Sequence, residues 1–437
     1  LYRKAIEKLK SWKDKTNRKP LVIRGARQTG KTWLMKEFGR SCYKQYAYIN
    51  FEKNPRMQAL FSSDFDTDRL LLGLQVEAGC AIVPGDTLVL FDEIQEVPDA
   101  LTSLKYFNEN APEHHIVAAG SLLGVSLHSG TSFPVGKVEF LDLFPLSFSE
   151  FLLATENKPL HDIIDRLDFN MASVFASKLT ELLKQYCVVG GMPEVVKTFL
   201  QRHDFTEVQL VQKHLLDSYE HDFSKHAPDR IVPRIRSVWK SLPSQLAREN
   251  RKFVFGLIKS GARAREYELA IQWLLDCGLA NRVDRIAKPG VPISAYRDSS
   301  AFKLYALDVG LLCSMSLLEP KSILEGNTLF TEFKGALAEQ FVLQQLTAGA
   351  GINPYYWSAH RSTGEIDFVI QKNGMILPLE VKASENLQAK SLKNYYNRYS
   401  PAKAFRTSLS GYREEKWLVN IPLYAIHLFP KIAKSVL

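Results

Sequence analysis

The chain has no uninterrupted apolar stretch long enough to span a membrane, and its first residues hold no secretory apolar core. Both absences lead to the expectation of a protein that does not engage a membrane. Cysteine is scarce. Cys42, Cys80, Cys187, Cys277 and Cys313 are odd in number and widely scattered, a pattern that excludes a disulfide framework and a zinc knuckle. Such thiols fit a reducing compartment, so the expected location is cytoplasmic. The histidines do not supply a zinc site either, because His114, His115, His214, His221, His226 and His360 lack cysteine companions at ligand spacing. An acidic excess is also missing: 56 Lys and Arg face 47 Asp and Glu, for a net charge of +9. That balance favours an anionic partner, with DNA or another nucleic acid as the commonest candidate, but charge alone does not separate this from anionic lipid or plain solubility.

What is present is 437 residues with 46% apolar and 24% charged content. This is globular composition, and the length is too great for one ordinary core, so two to four domains are expected. Residues 1–19 are basic, with Ala5, Ile6, Leu9 and Trp12 at helical spacing. The stretch LVIRGARQTGKTWLMKEF, residues 21–38, follows. In it Gly25, Gly30, Lys31 and Thr32 hold the four fixed positions of the G-x-x-x-x-G-K-[ST] phosphate loop, between an apolar run and a helical pattern. Such a loop curls backbone N–H groups around phosphate oxygens at a helix N-terminus. The residues expected to hold nucleotide are therefore Gly25, Ala26, Arg27, Gln28, Thr29, Gly30, Lys31, Thr32 and Trp33. Lys31 would reach the β/γ-phosphates and Thr32 would ligate Mg²⁺, making ATP with Mg²⁺ the expected cofactor.

Strands are expected at Tyr46–Asn50, Thr87–Phe91, His115–Ala119 and Val135–Leu141. The second ends in Asp92 and Glu93, the acidic pair of a Walker B element. Asp92 would hold Mg²⁺ through water and Glu93 would polarise the attacking water. Ser121, just past the third strand, either senses the γ-phosphate and holds the lytic water or caps the next helix. Ser147 three residues before Glu150 predicts a capping box.

The combination GARQTGKT, LVLFDEIQ, AAGSLLG and KVEFLDLFPLSFSEFL resembles the bacterial and archaeal AAA-type ATPases that carry a C-terminal domain of unassigned function, DUF4143. Gly190-Gly191-Met192-Pro193-Glu194, Leu304–Leu311 (LYALDVGL) and Thr331–Val342 (TEFKGALAEQFV) extend the resemblance over nearly the whole chain. It implies an ATPase core followed by a helical lid. A lid often sets a basic residue over bound nucleotide, but Arg166, Arg230, Arg234 and Arg236 cannot be ranked for that role; a charge supplied in trans within a homo-oligomer is the alternative.

Helical patterns at Ile235–Leu246, Phe253–Ile258 and Arg265–Cys277 precede short strands at Leu279–Ile286 and Phe302–Leu307, a winged-helix order. Arg263 and Arg265 would contact phosphates if the region binds DNA. The third helix, EYELAIQWLLDCGL, is too apolar for a groove reader, which leaves a scaffold role open.

The last part reads as an α/β unit. An amphipathic helix from Phe333 to Leu346 contains Glu339, a strand at Glu365–Gln371 contains Asp367, and a strand at Met375–Val381 leads into Glu380-Val381-Lys382. Helix Glu, strand Asp and Glu-x-Lys resemble the PD-(D/E)xK nuclease superfamily. The resemblance implies that Asp367 and Glu380 bind one or two Mg²⁺ or Mn²⁺ ions, with Glu339 completing the shell and Lys382 acting on the attacking water. The competing explanation is an ordinary ion pair of Lys382 with Glu380 or Asp367. Lys372, Lys390, Lys393, Arg398 and Lys403 would hold a nucleic-acid backbone, and Tyr395, Tyr396 and Tyr399 on a helix from Gln388 are either core or stacking residues.

The expected fold is therefore α/β: a P-loop NTPase sheet domain over 1–150, a helical lid over 151–230, a winged-helix-like region over 231–328, and a restriction-endonuclease-like domain over 329–437. The expected function is ATP hydrolysis governing nucleic-acid engagement by a nuclease-like domain. The alternatives are an ATP-dependent switch for a protein partner, with an inactive terminal module, and a DNA-binding ATPase without nuclease activity.

Overall fold

The computed structural model describes residues 1–121, 134, 136–248, 251–326, 331–359, 364–383 and 390–437. The chain divides into two compact units. One is Tyr2–Phe144 together with Asp276–Gly278, and the other comprises Pro145–Leu275 and Leu279–Leu437 with Leu1.

In the first unit five strands, β1 (Leu21–Arg24), β2 (Gln45–Asn50), β3 (Thr87–Asp92), β4 (His115–Ala119) and β5 (Glu139–Asp142), form one sheet in the order β2-β3-β4-β1-β5. Every pairing is parallel. A parallel sheet must be covered on both faces, which explains why the central strands read as unbroken apolar runs. Alternate side chains feed two separate layers. Val22, Val89, Phe91, Ile116 and Ala118 pack with Leu70, Leu74 and Leu104 on one side. Leu21, Ile23, Leu88, Leu90 and Val117 pack with Leu34 and Phe38 on the other, where Leu9 and Trp12 of the helix Ala5–Lys13 join them. The basic N-terminal segment thus leans on the nucleotide sheet, as its spacing predicts. The last strand starts at Glu139, later than expected; Val135 lies outside the described residues.

The second unit opens with the expected capping box. Ser147 N–H donates to Glu150 Oε2 at 2.8 Å, and Glu150 N–H donates to Ser147 Oγ at 3.3 Å. Helices fill most of 148–246. An eight-stranded mixed sheet follows from β6 (Ala280–Ile286), β7 (Arg297–Ala306), β8 (Tyr355–Ser358), β9 (Glu365–Lys372), β10 (Met375–Val381), β11 (Ala404–Ser408), β12 (Arg413–Glu414) and β13 (Leu418–Pro422), in the order β12-β13-β11-β10-β9-β8-β6-β7.

This sheet corrects the winged-helix expectation. β6 and β7 do pair antiparallel, but β6 also pairs in parallel with β8, so the supposed wing is the edge of the large sheet. Only a short 3₁₀ turn at Phe255–Leu257 occupies the place of the second helix. The third, Ala264–Asp276, buries Tyr267, Ala270, Ile271, Trp273 and Leu274, and Arg263 and Arg265 are exposed at its start. Its apolar character reflects packing within the unit.

The helix Thr331–Gln344 is not amphipathic. Ala336, Leu337, Glu339, Gln340, Phe341, Val342, Leu343 and Gln344 are all buried, so several faces of the helix are enclosed. Its glutamines satisfy buried backbone: Gln340 accepts from Ala306 N–H at 3.0 Å and donates to Ala306 O at 2.9 Å, while Gln344 accepts from Val309 N–H at 3.0 Å. The motif residues around Gly190 and Asp308 meet at the same junction. Buried Asp308 accepts from the N–H groups of Gly191 (2.7 Å), Gly310 (3.0 Å) and Leu311 (3.1 Å). A Cβ on Gly190 would fall 2.0 Å from Asp308 Oδ1, so this position has no room for a side chain.

Candidate functional site

The phosphate loop leaves the carboxyl end of β1 and runs into the helix Lys31–Cys42. Its path needs glycine: Gly30 has φ +92° at the helix N-cap, and Gly25 has φ +148° with the Leu143 carbonyl 2.2 Å from where a Cβ would stand. Gln28 adopts φ +65° as well. Ala26 and Thr29 are buried, Thr29 Oγ1 donates to Ala26 O at 2.9 Å, and Trp33 is exposed on the first helical turn. Arg3 Nη1 donates to Thr29 O at 2.8 Å. This brace on the loop comes from a residue whose sequence context carries no signal.

Lys31 folds back, donating to Gly25 O at 2.9 Å and Ala26 O at 2.8 Å. Burial brings its ammonium down to about 8, against the opposing pull of Glu93 and Asp92. Thr32 Oγ1 donates to Asp92 Oδ2 at 2.8 Å, and Tyr48 OH donates to the same oxygen at 2.8 Å. Tyr48 follows from the β2–β3 register, which pairs Tyr48 with Leu90 and Asn50 with Asp92. Burial, then the Asp92 hydrogen bond, push its phenol up, and Lys36 Nζ sits 3.6 Å from its ring centroid. Sequence reasoning missed Tyr48; its position on a strand neighbouring the acidic pair was the available signal.

Glu93 lies just past β3 with φ +51°, an uncommon backbone for a non-glycine residue. Its carboxylate accepts from Ser121 Oγ at 3.0 Å and from Gln95 Nε2 at 2.6 Å. Of the two readings of Ser121, the hydroxyl's partner is Glu93; the helix it would cap falls on residues outside those described. All the nucleotide-site residues expected from sequence thus gather at the carboxyl ends of β1, β3 and β4.

In the second unit the four nuclease-like residues are held by two separate sets of partners. The β9–β10 register runs to Leu379 opposite Phe368, with Glu380 and Asp367 next along it. Lys382 Nζ pairs with Glu380 Oε1 at 3.0 Å, and Glu380 Oε2 is buried without a hydrogen-bond partner. Burial moves the Glu380 carboxyl up, opposed by Lys382. Glu339 belongs to a different network. It is ion-paired with Arg251, lies 3.4 Å from Lys303 Nζ, and accepts from Tyr305 OH at 2.9 Å. Asp367 hydrogen-bonds to Glu339 and accepts from Val381 N–H at 2.7 Å. Burial pushes the Asp367 carboxyl well up, and the Glu339 charge pushes it further; burial also acts to raise Glu339, but Lys303 and Arg251 outweigh it and hold Glu339 well below the usual range. Among the described residues no group of three or more His, Cys, Asp or Glu has the geometry of a metal site, so none supports the expected second Mg²⁺ or Mn²⁺ centre. His360 lies outside those residues.

The basic residues thought to line a groove divide similarly. Lys403 pairs with Glu414 at 3.1 Å and Lys393 covers the Trp417 ring at 4.1 Å, while Lys372, Lys390 and Arg398 are exposed. Tyr395 is buried edge-on against Trp357 at 5.1 Å and Tyr399 lies 4.9 Å from Tyr395, so this helix, Lys390–Tyr399, gives its tyrosines to the core; Gln388 lies outside the described residues. Arg166, Arg230, Arg234 and Arg236 are all exposed. Among the described residues no helix is long and apolar enough to cross a membrane.

Three stretches match family models: residues 17–152 an AAA domain, residues 180–322 a domain of unknown function (DUF8612), and residues 334–426 a second domain of unknown function (DUF4143). No curated protein matches the chain. Among solved structures, the Walker-type ATPase PABY2304 of Pyrococcus abyssi is 15% identical, with TM-score 0.45 and coverage of 71% of this chain and 94% of that one. The Orc1 protein of Aeropyrum pernix, solved in complex with DNA, is 14% identical, with TM-score 0.28 and coverage of 72% and 91%. Neither likeness is close enough to carry an argument. The chain contains an AAA-type P-loop ATPase domain and a distinct C-terminal DUF4143 domain.

Proposed function

We propose that this chain binds ATP with Mg²⁺ at the loop of residues 25–32 and hydrolyses it, and that nucleotide state switches the rest of the chain between binding states. The observation that carries this reading is the joining of loop and acidic pair: Thr32 on Asp92 at 2.8 Å, beside Glu93 held by Ser121 at 3.0 Å. These residues fit the group they would hold. The loop offers backbone N–H groups and the Lys31 ammonium to phosphate, and Thr32 with Asp92 offers the hard oxygen ligands Mg²⁺ takes. Bound Mg²⁺ supplies charge neutralisation on the phosphates. Lys31 leaves the Gly25 and Ala26 carbonyls for phosphate oxygens, Tyr48 and Thr32 orient Asp92, and Glu93 orients the attacking water and takes its proton. The test is steady-state ATP turnover of the wild type beside Lys31→Ala and Asp92→Asn: both variants should lose at least about a hundredfold, a typical scale for removing a transition-state contact.

For the C-terminal domain we favour a recognition module, for a protein partner or nucleic acid, over a nuclease. The reason is that Glu339 and Asp367 already have cationic and hydrogen-bonding partners. One observation favours the nuclease reading, the partnerless Glu380 Oε2 beside Lys382. Incubation of the wild type and Asp367→Ala with DNA and Mg²⁺ or Mn²⁺ separates them: no cleavage with ATPase intact supports the module, and cleavage abolished by Asp367→Ala with ATPase retained supports the nuclease. The boundaries at 150 and 230 remain part of this proposal; the one at 328 would separate β6 and β7 from the strands with which they share a sheet.

A further inference from the structure

The network around Glu339 is built on one face of the large sheet. Lys303 and Tyr305 are two apart on β7, and Glu365 and Asp367 are two apart on β9, so each pair shares a face. Glu339 comes from the helix Thr331–Gln344, and Arg251 from the segment after the helix Val232–Leu246. Lys303 is completely enclosed. Its ammonium lies 2.5 Å from Glu365 Oε1, 3.4 Å from Glu339 Oε2, and 5.1 Å from the Tyr356 ring centroid. A buried lysine is ordinarily driven toward its neutral form. Here burial does act that way, but the facing carboxylates, Glu339 first, outweigh it and move the ammonium above its ordinary range.

The carboxylates find their cations inside the chain. Lys303 stands between Glu339 and Glu365, Arg251 pairs with the other Glu339 oxygen, and Asp367 hydrogen-bonds to Glu339. Two of the three carboxyls thus face an ammonium where a metal-dependent site would present them to a divalent cation. Adding a divalent ion would crowd two positive charges against the Lys303 ammonium and the Arg251 guanidinium, and the interior gives little screening.

We propose that Lys303 is a resident cation standing where a divalent metal would otherwise bind, so that the Glu339–Glu365–Asp367 cluster is a metal-independent lock between sheet and helix. The nuclease-like pattern of Glu339 and Asp367 survives as scaffold chemistry. Whatever the C-terminal domain recognises, it does so without a metal at this cluster, and its binding resists chelators. Removal of the ammonium leaves Glu339 and Glu365 without the cation between them, an uncompensated buried charge that a divalent ion can offset once the carboxylates close on it. The inference rests on the recognition-module reading above and is independent of the ATPase, which is measured separately.

The test is Mn²⁺ uptake by the full nucleotide-free chain, followed by the free-ion electron paramagnetic resonance signal. It compares the wild type, Asp367→Asn, Lys303→Met, and Lys303→Met with Asp367→Asn. Any weak binding at the phosphate-loop unit is common to all four and cancels. Lys303→Met should gain one equivalent bound at least tenfold more tightly than in the wild type, and Asp367→Asn in that background should abolish the gain. Wild type and Asp367→Asn should bind alike. An equivalent bound by the wild type and lost in Asp367→Asn would overturn the proposal, as would a folded Lys303→Met that gains nothing. If Lys303→Met does not fold, the wild-type and Asp367→Asn comparison still decides the matter, because asparagine keeps the size of Asp367 and the acceptor that meets Val381 N–H while removing a carboxylate ligand. ATP turnover on the same preparations reports on the first unit alone.

Discussion

Gly335 sits inside a buried helix, where alanine is ordinarily the better residue by about 1 kcal/mol. The structure reverses that expectation. A Cβ at Gly335 would stand 2.5 Å from Nη2 of Arg251, whose guanidinium passes over the helix to reach Glu339. The clash is with the end of a flexible side chain, so Arg251 must move, and the guanidinium that moves is the one that pairs with Glu339 through Nη1. Both side chains are well buried, at 14% and 3% exposure, so solvent does little to replace the contact. Breaking such a pair costs about 3–5 kcal/mol. Lys303 and Tyr305 still hold the other Glu339 oxygen, which puts the loss at the lower end. Against the helix gain, Gly335→Ala should therefore destabilise the unit by about 2 kcal/mol. The assay is urea unfolding of a double-mutant cycle with Arg251→Ala. In the Arg251→Ala background, Gly335→Ala should be neutral or stabilising, with a coupling of about 3 kcal/mol between the sites. Stabilisation of the wild type by Gly335→Ala, with coupling near zero, would refute the reasoning.

Lys31 stands at about 8 in the free protein, and nucleotide phosphate would raise it. Nucleotide affinity should therefore hold steady to pH 7.5 and fall above pH 8 by up to about tenfold per unit, with proton uptake on binding; fluorescent-nucleotide titrations across pH 7–9.5 check this. Tyr48→Phe removes one of two donors to Asp92 Oδ2, a hydrogen bond to a charged group worth about 1.5–3 kcal/mol. The Mg²⁺ concentration for half-maximal turnover should rise by about threefold or more while the KM for ATP at saturating Mg²⁺ changes little, a split that a general loss of stability would not produce. Asp367 is raised in the folded state, so the folded chain holds a proton that the unfolded chain releases as pH climbs above the ordinary carboxylate range. Its contribution to stability is then lost with rising pH. Asp367→Asn should flatten that dependence and gain on the wild type between pH 5 and pH 8 in urea-midpoint measurements.

The first unit was legible because its signals are local. The glycine loop, the apolar strands and the acidic pair lie within short windows whose residue types have few other uses, and the sheet sets them where the motif requires. Arg3 and Tyr48 were not legible, since each reaches its target through a fold contact between distant positions. The second unit misled for a related reason. Three helix-like patterns and two short strands suggested a wing, but parallel pairing of β6 with β8 joins segments about seventy residues apart, and no local pattern reports it. Glu339, Asp367, Glu380 and Lys382 were found as charged residues on the right elements. Their partners Lys303 and Arg251 lie in segments whose sequence gives no hint that they approach, so the neutralised network emerged only from the fold.

If Glu93 acts on the hydrolytic step, ATP turnover and nucleotide affinity of Glu93→Gln beside the wild type will separate. Glutamine keeps the shape and can still meet Ser121, but cannot take a proton. Nucleotide affinity should stay within about threefold of the wild type and turnover should fall by about a hundredfold or more, the scale of general-base catalysis. Turnover equal to that of the wild type, with affinity unchanged, would contradict it.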